Sequence, residues 1–265
     1  MTDLTAATRR AYDAAASAWA AGPEHVYRHL AAALLAASPV DLRGQVLVDV
    51  GAGSGVLGDV ARDLGARCIE TDVAVEMLAR RRDRPRRAVA ADGRRLPLRA
   101  ATCDVVTAGC SLSHVDDPVA VLAEARRVLG PGGTLLASAF PEGRTPHPVR
   151  ACVEEALVAA GYRPPAWYER LKRVGEARVA TAPALTGLAR DAGFRAAGAR
   201  QVEVDTGIVS PALLVDYRLG MAQHATFVAG LDAATRRRVR AAAVTRLGDA
   251  PPALTFGLLV LTAHT

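Results

Sequence analysis

Lysine is almost missing from this chain: Lys172 is the only one among 33 basic residues. That skew, beside so much alanine, reflects the residue bias of a GC-rich genome. The formal net charge of +6 is therefore a weak argument for a nucleic-acid partner. The densest basic run, Arg80 to Arg95, reads either as an electrostatic footprint or as a solvated helix end and loop. Cysteine is scarce too. Cys68, Cys103, Cys110 and Cys152 are scattered with no Cys-x-x-Cys spacing, which argues against disulfide staples and zinc ligands and for small core residues in a reducing compartment. Long apolar runs are lacking: a stretch such as Ala31-Ala-Ala-Leu-Leu-Ala-Ala37 is too short to cross a bilayer. The sequence does not open with a basic segment followed by an apolar one, so the expectation is a cytoplasmic protein with no membrane partner. Internal repeats and low-complexity linkers are missing as well.

What is present is a chain of 265 residues, 51% of them apolar, enough for one α/β domain with a sizeable core. The first 40 residues are helical in pattern, with Gly22-Pro23 dividing them into two helices and Ser38-Pro39 ending the second. From residue 45 the rhythm changes to short β-branched runs alternating with helices. Strands are predicted at 46–50, 67–71, 87–90, 104–108 and 134–138, with helices at 56–64, 74–82 and 118–129 between them. Such alternation implies βαβ units and a mostly parallel sheet. Further on, helices are predicted at 146–160, 183–192 and 211–247, and strands at 194–204 and 255–262. The expected architecture is a Rossmann-like, seven-stranded, mostly parallel sheet with helices on both faces. A helical lid spans 1–40, the core 41–140, and 141–265 completes the sheet with a helical cap (about 141–182 and 207–250), all in a single domain.

Four short segments carry the chemistry. Asp49-Val-Gly51-Ala52-Gly53-Ser-Gly55 follows a buried strand and opens a helix, a tight turn whose bare backbone lets a ligand approach N–H groups at a helix N-terminus. Its glycine spacing departs from the Gly-x-Gly-x-x-Gly of dinucleotide-binding dehydrogenases. Asp72, at the end of the second strand, is placed to accept both hydroxyls of a ribose, or else to cap the following helix. Ala91-Asp92-Gly93 follows the third strand, where a carboxylate could accept from an exocyclic amine or simply form an Asp-Gly turn. Gly130-Pro131-Gly132-Gly133 is a helix stop and sharp turn, structural in role.

These segments occur in order with Glu70-Thr-Asp-Val73, Leu96-Pro-Leu98, Cys103-Asp-Val-Val106 and Arg127-Val-Leu-Gly-Pro-Gly-Gly133. Together they resemble the class I S-adenosylmethionine-dependent methyltransferases, and within them the ubiquinone/menaquinone-biosynthesis-like branch that acts on small molecules. The resemblance is strong over about 41–140; Tyr12-Asp13 and Trp19 also resemble that branch's N-terminal lid. It implies S-adenosyl-L-methionine as cofactor, with S-adenosyl-L-homocysteine as product. Gly51, Gly53 and Gly55, with Asp49 and Ala52 in the same turn, would wrap the methionine part. Asp72 would hold the ribose, Val73 and Met77 would flank the adenine, and Asp92 with Ala91 and Gly93 would meet its amine. Cys110 would offer its carbonyl to the amino group, and Tyr12 would close on the carboxylate end.

Methyl transfer from a sulfonium asks the protein mainly to align the nucleophile and exclude water. His114, in Ser111-Leu-Ser-His-Val-Asp-Asp117 past the fourth strand, is the candidate general base, or a histidine that supports the pocket. Trp19, Trp167, Tyr217, Met221 and His224 are candidates for the substrate pocket, or for packing the cap; the last three fall at helical spacing with Phe227. His25 and His29 share a helix face but have no third ligand nearby, so no metal is expected. The implied activity is O-, N- or C-methylation of a small organic molecule in natural-product biosynthesis, by a monomer or homodimer with no nucleic-acid partner. A cyclase or pericyclase that uses the cofactor structurally or electrostatically is the alternative, since fold does not dictate function.

Overall fold

The computed structural model describes residues 3–80, 87–143 and 145–265. Two helices, α1 (Leu4–Trp19) and α2 (Pro23–Ala36), precede the first strand. Gly22 divides them, and its Cα lies so close to the backbone at Asp216 and Tyr217 that no side chain would fit. Then β1 (Val46–Val50), α3 (Val56–Asp63), β2 (Arg67–Asp72), α4 (Val75–Ala79), β3 (Arg87–Ala90), β4 (Cys103–Gly109), α5 (Pro118–Val128) and β5 (Leu129–Ala139) alternate. The chain continues with α6 (Pro148–Ala159), α7 (Ala166–Arg170), α8 (Ala182–Asp191), β6 (Ala196–Asp205), α9 (Pro211–Leu219), α10 (Ala222–Gly230), α11 (Ala233–Leu247) and β7 (Thr255–His264).

The strands form one seven-stranded sheet in the order β3-β2-β1-β4-β5-β7-β6. The first five pair in parallel, and β7 runs antiparallel between β5 and β6. Apolar side chains cover both faces. Leu122, Leu135 and Leu185 belong to one buried cluster, and Leu34, Leu47 and Leu57 to another. A third joins α6, α9 and α11 through Val153, Leu214 and Val239. Strand order reverses between β1 and β4, and the carboxyl ends of strands at such a reversal open a crevice.

Three local expectations need correction. The segment 211–247 is three helices rather than one: Met221 and Leu231 adopt extended backbone, and Asp232 caps α11 by accepting from Thr235 N at 2.9 Å. Residues 166–176, not predicted as an element, form α7 and a π-helical turn, Leu171–Glu176. The glycine-rich segment at 130–133 lies inside β5, where the register against β4 shifts, and Gly132 has φ 73°. The end predicted for the helix at 74–82, residues 81 and 82, and part of the basic run at 80–95 lie outside the described residues.

Candidate active site

β1 brings Asp49 and Val50 to the crevice, and the chain turns at once. Gly51, Gly53 and Gly55 have φ of 76°, 56° and 85°, a region that side chains strongly disfavour. The N–H groups of Gly51 and Ala52 both donate to Thr71 O, at 2.8 and 3.0 Å, which ties the turn to β2. A Cβ on Gly51 would come within 2.5 Å of the Ser111 Cβ; Ser111 in turn donates to Val50 O at 2.9 Å. Gly55 starts α3.

Asp49 is buried. Thr107 Oγ1 donates to its Oδ1 at 2.7 Å, and its Oδ2 is sealed from solvent with no hydrogen-bond partner. Burial raises its pKa to about 7, against the lowering effect of Thr107. Asp72 accepts from Gly53 N through Oδ2 and from Ala74 N through Oδ1, both at 2.7 Å. Burial raises its pKa, while those N–H groups oppose the rise. Each oxygen keeps a further lone pair for a ligand, so holding the loop and binding a diol are compatible. Asp92 differs. Arg94 donates Nε to both its oxygens (3.0 and 3.1 Å), Nη2 to Oδ2 (2.6 Å) and its backbone N to Oδ1 (2.9 Å). That pairing lowers its pKa and takes up its acceptor capacity.

Cys110 directly follows β4, and its φ of 53° is rare outside glycine. The conformation is held from β5, where Ser138 O and Oγ each accept from Cys110 N at 3.1 Å. Beyond it lies a 3-10 turn, Leu112–His114. His114 Nε2 is 3.1 Å from the Tyr12 hydroxyl, and Nδ1 is 3.1 Å from Ser113 Oγ. Burial above all, with Cys110 and Asp72 nearby, pushes the Tyr12 phenol well above its ordinary pKa. Tyr12 can therefore donate to Nε2, leaving the ring proton on Nδ1. The loop is tied to α1 a second time: Asp116 Oδ2 accepts from Thr5 N at 3.3 Å, and Arg170 donates to Oδ1 at 3.1 Å.

One cavity of about 170 Å³ unites these parts. Its wall includes Tyr12, Trp19, Asp49, Gly51, Ala52, Gly53, Asp72, Val73, Met77, Ala91, Asp92, Gly93, Cys110 and His114. Gly55 is not among them. Thr8, Arg9, Tyr27, Leu30 and Leu34 also line it. They lie in helical segments whose periodicity marks a buried face without saying what that face covers.

Four residues expected at the substrate pocket are elsewhere. The break at Met221 puts Tyr217 and His224 on different helices, so the stripe imagined along one helix does not exist. Tyr217 packs with α6 and α11, and Met221 stands behind Trp19 and Met77. Trp167 packs with Ala11 and Ala222 and is not in the cavity wall. His224 is buried, donates Nδ1–H to Arg218 O at 2.7 Å and lies edge-on to Tyr162.

Residues 48–137 match the family of the methyltransferase domain. Demethylmenaquinone methyltransferase of Mycobacterium sp. (strain JLS) is 34% identical over 134 residues, which cover 51% of this chain and 56% of that one. Residues 48–137 are thus similar to the methyltransferase domain, and this match with its relatives supports a class I, S-adenosylmethionine-dependent methyltransferase. The enzyme of Mycobacterium tuberculosis (strain ATCC 25177 / H37Ra) is likewise 34% identical, over 131 residues covering 49% of this chain and 54% of that one. The chain thus spans about half the length of these relatives. In fold it is similar to phosphoethanolamine N-methyltransferase 2 of Haemonchus contortus with S-adenosyl-L-methionine (TM-score 0.55, 16% identity, covering 89% of this chain and 52% of that one). It is also similar to the [4+2]-cyclase SpnF (TM-score 0.54, 21% identity, 90% and 81%).

The residues of the cavity suit S-adenosylmethionine. Asp49 Oδ2 is an orphaned buried acceptor in a cavity wall, a place for an ammonium. The turn at Gly51 and Gly53 leaves bare backbone where side chains would intrude. Asp72 retains acceptor sites. Among the described residues no helix is long and apolar enough to cross a membrane.

Proposed function

We propose that the protein transfers the methyl group of S-adenosyl-L-methionine to a small, largely apolar organic acceptor of natural-product type. The observation that carries this reading is the continuity of one cavity: the glycine turn and its acids share a wall with Trp19, Tyr27, Leu30 and Leu34 and with the Tyr12–His114 pair. When bound, the cofactor supplies a carbon already activated by a sulfonium. The chain's part is to hold the acceptor, exclude water and manage one proton.

Gly51 and Gly53 would hold the methionine end with Asp49 facing its ammonium, and Asp72 would take the ribose hydroxyls. Met77 and Val73 would flank the adenine, while Asp92 reaches its amine only if Arg94 releases a lone pair. An acceptor hydroxyl, or a protonated amine, would compete with the Tyr12 hydroxyl for His114 Nε2. The proton would then rest on that nitrogen while Nδ1–H donates to Ser113 Oγ, and burial keeps Tyr12 protonated throughout. A carbon nucleophile, or an acceptor already ionised, would need no such step.

The test is incubation with methyl-labelled S-adenosyl-L-methionine and a small-molecule extract. The expected result is S-adenosyl-L-homocysteine together with a labelled product, both lost in Asp72→Ala. With the acceptor identified, His114→Ala should lower kcat by roughly 10²–10⁴ if that acceptor is a hydroxyl and leave it unchanged if it is carbon. Tight cofactor binding with neither product would refute methyl transfer and favour a cyclase that keeps the cofactor intact.

A further inference from the structure

A second cavity, of about 30 Å³, lies beyond the end of β5, between the start of α6, the end of α9 and the start of β7. It shares no lining residue with the first. Its polar wall is Thr145, His147, Arg150, Arg218 and Thr255, with Tyr217 beside them.

Arg218 makes this cavity unusual. The residue is 7% exposed. Its Nε is sealed from solvent with no hydrogen-bond partner, and among the described residues no carboxylate lies within ion-pairing distance of the guanidinium. The neighbouring acid, Asp216, gives both oxygens to Arg240, at 2.7 and 2.8 Å. His224 offers no counter-charge, since an imidazole is neutral or cationic; burial and then Arg218 itself hold its pKa down to about 4 and keep it from adding a second positive charge. The end of α9 contributes only a partial negative charge. The guanidinium carbon lies over the Tyr217 ring, 5.8 Å from its centroid, but Nε is left without the hydrogen-bond partner that buried polar groups ordinarily have.

The rest of the wall is also built for negative charge. Arg150 stands in the first turn of α6, whose twelve residues direct their positive end at the cavity. His147 caps that helix by accepting from Val149 N at 3.1 Å, and its Nε2 proton goes to Pro252 O at 3.0 Å. It adds no acidic group. By the rule that one water needs roughly 10–15 Å³, the space suits two waters or one compact anionic group.

We propose that this cavity is an oxyanion site, in which Arg218, with Arg150, binds the carboxylate or phosphate group of a small molecule. The site is independent of the methyl-transfer reading, since none of its lining residues faces the cofactor cavity.

Thermal unfolding of the full chain tests it, with inorganic phosphate, benzoate or chloride at matched ionic strength. The wild type should gain a saturable rise in Tm of about 3 °C at roughly ten times the dissociation constant. Response to phosphate alone identifies a phosphate site, and response to benzoate alone a carboxylate site. Because phosphate also stabilises proteins by exclusion from their surface, the diagnostic quantity is the difference from Arg218→Met. That variant should lose the saturable rise, yet in chloride be at least as stable as wild type, since it removes an unpaired buried charge. The order should reverse at saturating anion. If Arg218→Met does not fold, Arg150→Gln should weaken the response several-fold. Equal responses in wild type and variants, or no response to either anion beyond chloride, would overturn the proposal. Binding of S-adenosyl-L-homocysteine should be the same in Arg218→Met, so a failure here is distinct from a failure of the methyltransferase reading.

Discussion

Replacing Asp49 by Asn should expose a conflict between stability and cofactor binding. In the free protein the Asp49 carboxyl is buried, and its pKa rises from 3.8 to about 7. The folded state therefore holds this proton more tightly than the unfolded chain does. Its contribution to stability is full below about pH 4 and is lost as pH rises through about 7. At about 1.4 kcal/mol per unit, the interval corresponds to at most about 4 kcal/mol. Asp49→Asn removes that loss, so above pH 7 the variant should be more stable than wild type in urea unfolding, and near pH 4 the two should converge. Binding runs the other way. A ligand ammonium requires Asp49 ionised, and the α-ammonium stays largely protonated below pH 7. The apparent Kd for S-adenosyl-L-homocysteine should then rise roughly 15-fold from pH 7 to pH 5.5. Calorimetric titration measures it. A flat profile in wild type, or the same slope in Asp49→Asn, would refute the assignment of Asp49 to the ammonium.

Two further predictions follow from contacts in the same cavity. Arg94→Ala frees the Asp92 carboxylate. Both partners are about one-third exposed, so the pair contributes at most about 1 kcal/mol, and S-adenosyl-L-homocysteine should bind two- to fivefold more tightly; weaker binding would mean that Arg94 itself touches the ligand. Gly175→Ala places a methyl group on the Ser113 carbonyl, pushing on the turn that carries His114. With a hydroxyl acceptor, kcat should fall at least tenfold while cofactor affinity is unchanged, and an unchanged kcat would show that the π-helical turn does not position His114.

The elements that could be read in advance are those whose cause is local. Val46–Val50 is apolar except for one acid and is followed by a turn that only glycines accommodate, so strand, turn and helix are legible together. Asp72 ends β2 and Asp92 lies just past β3, and in a parallel sheet strand ends meet along one edge. The break in the predicted helix at 211–247 was legible in part, since Gly220, Gly230 and Asp232 are turn and cap residues; helical periodicity outweighed them because Tyr217, Met221, His224 and Phe227 happen to share its spacing. Buried apolar faces have the same pattern whether they line a cavity or pack a core. For that reason Trp19 and Trp167 look alike in sequence, although one lines the cavity and the other packs with Ala11 and Ala222.

The sequence by itself determined the alternating α/β architecture, the bare-backbone turn after β1 and the register of acids at strand ends, because these rest on dihedral preference and periodicity over a few residues. Only the tertiary structure decided that Tyr12 meets His114 across 102 positions, that Arg94 occupies Asp92, and that Arg218 is buried without an acid. Those pairings depend on which surfaces the crossovers bring together, and burial then sets the charge of each group by what its neighbours offer.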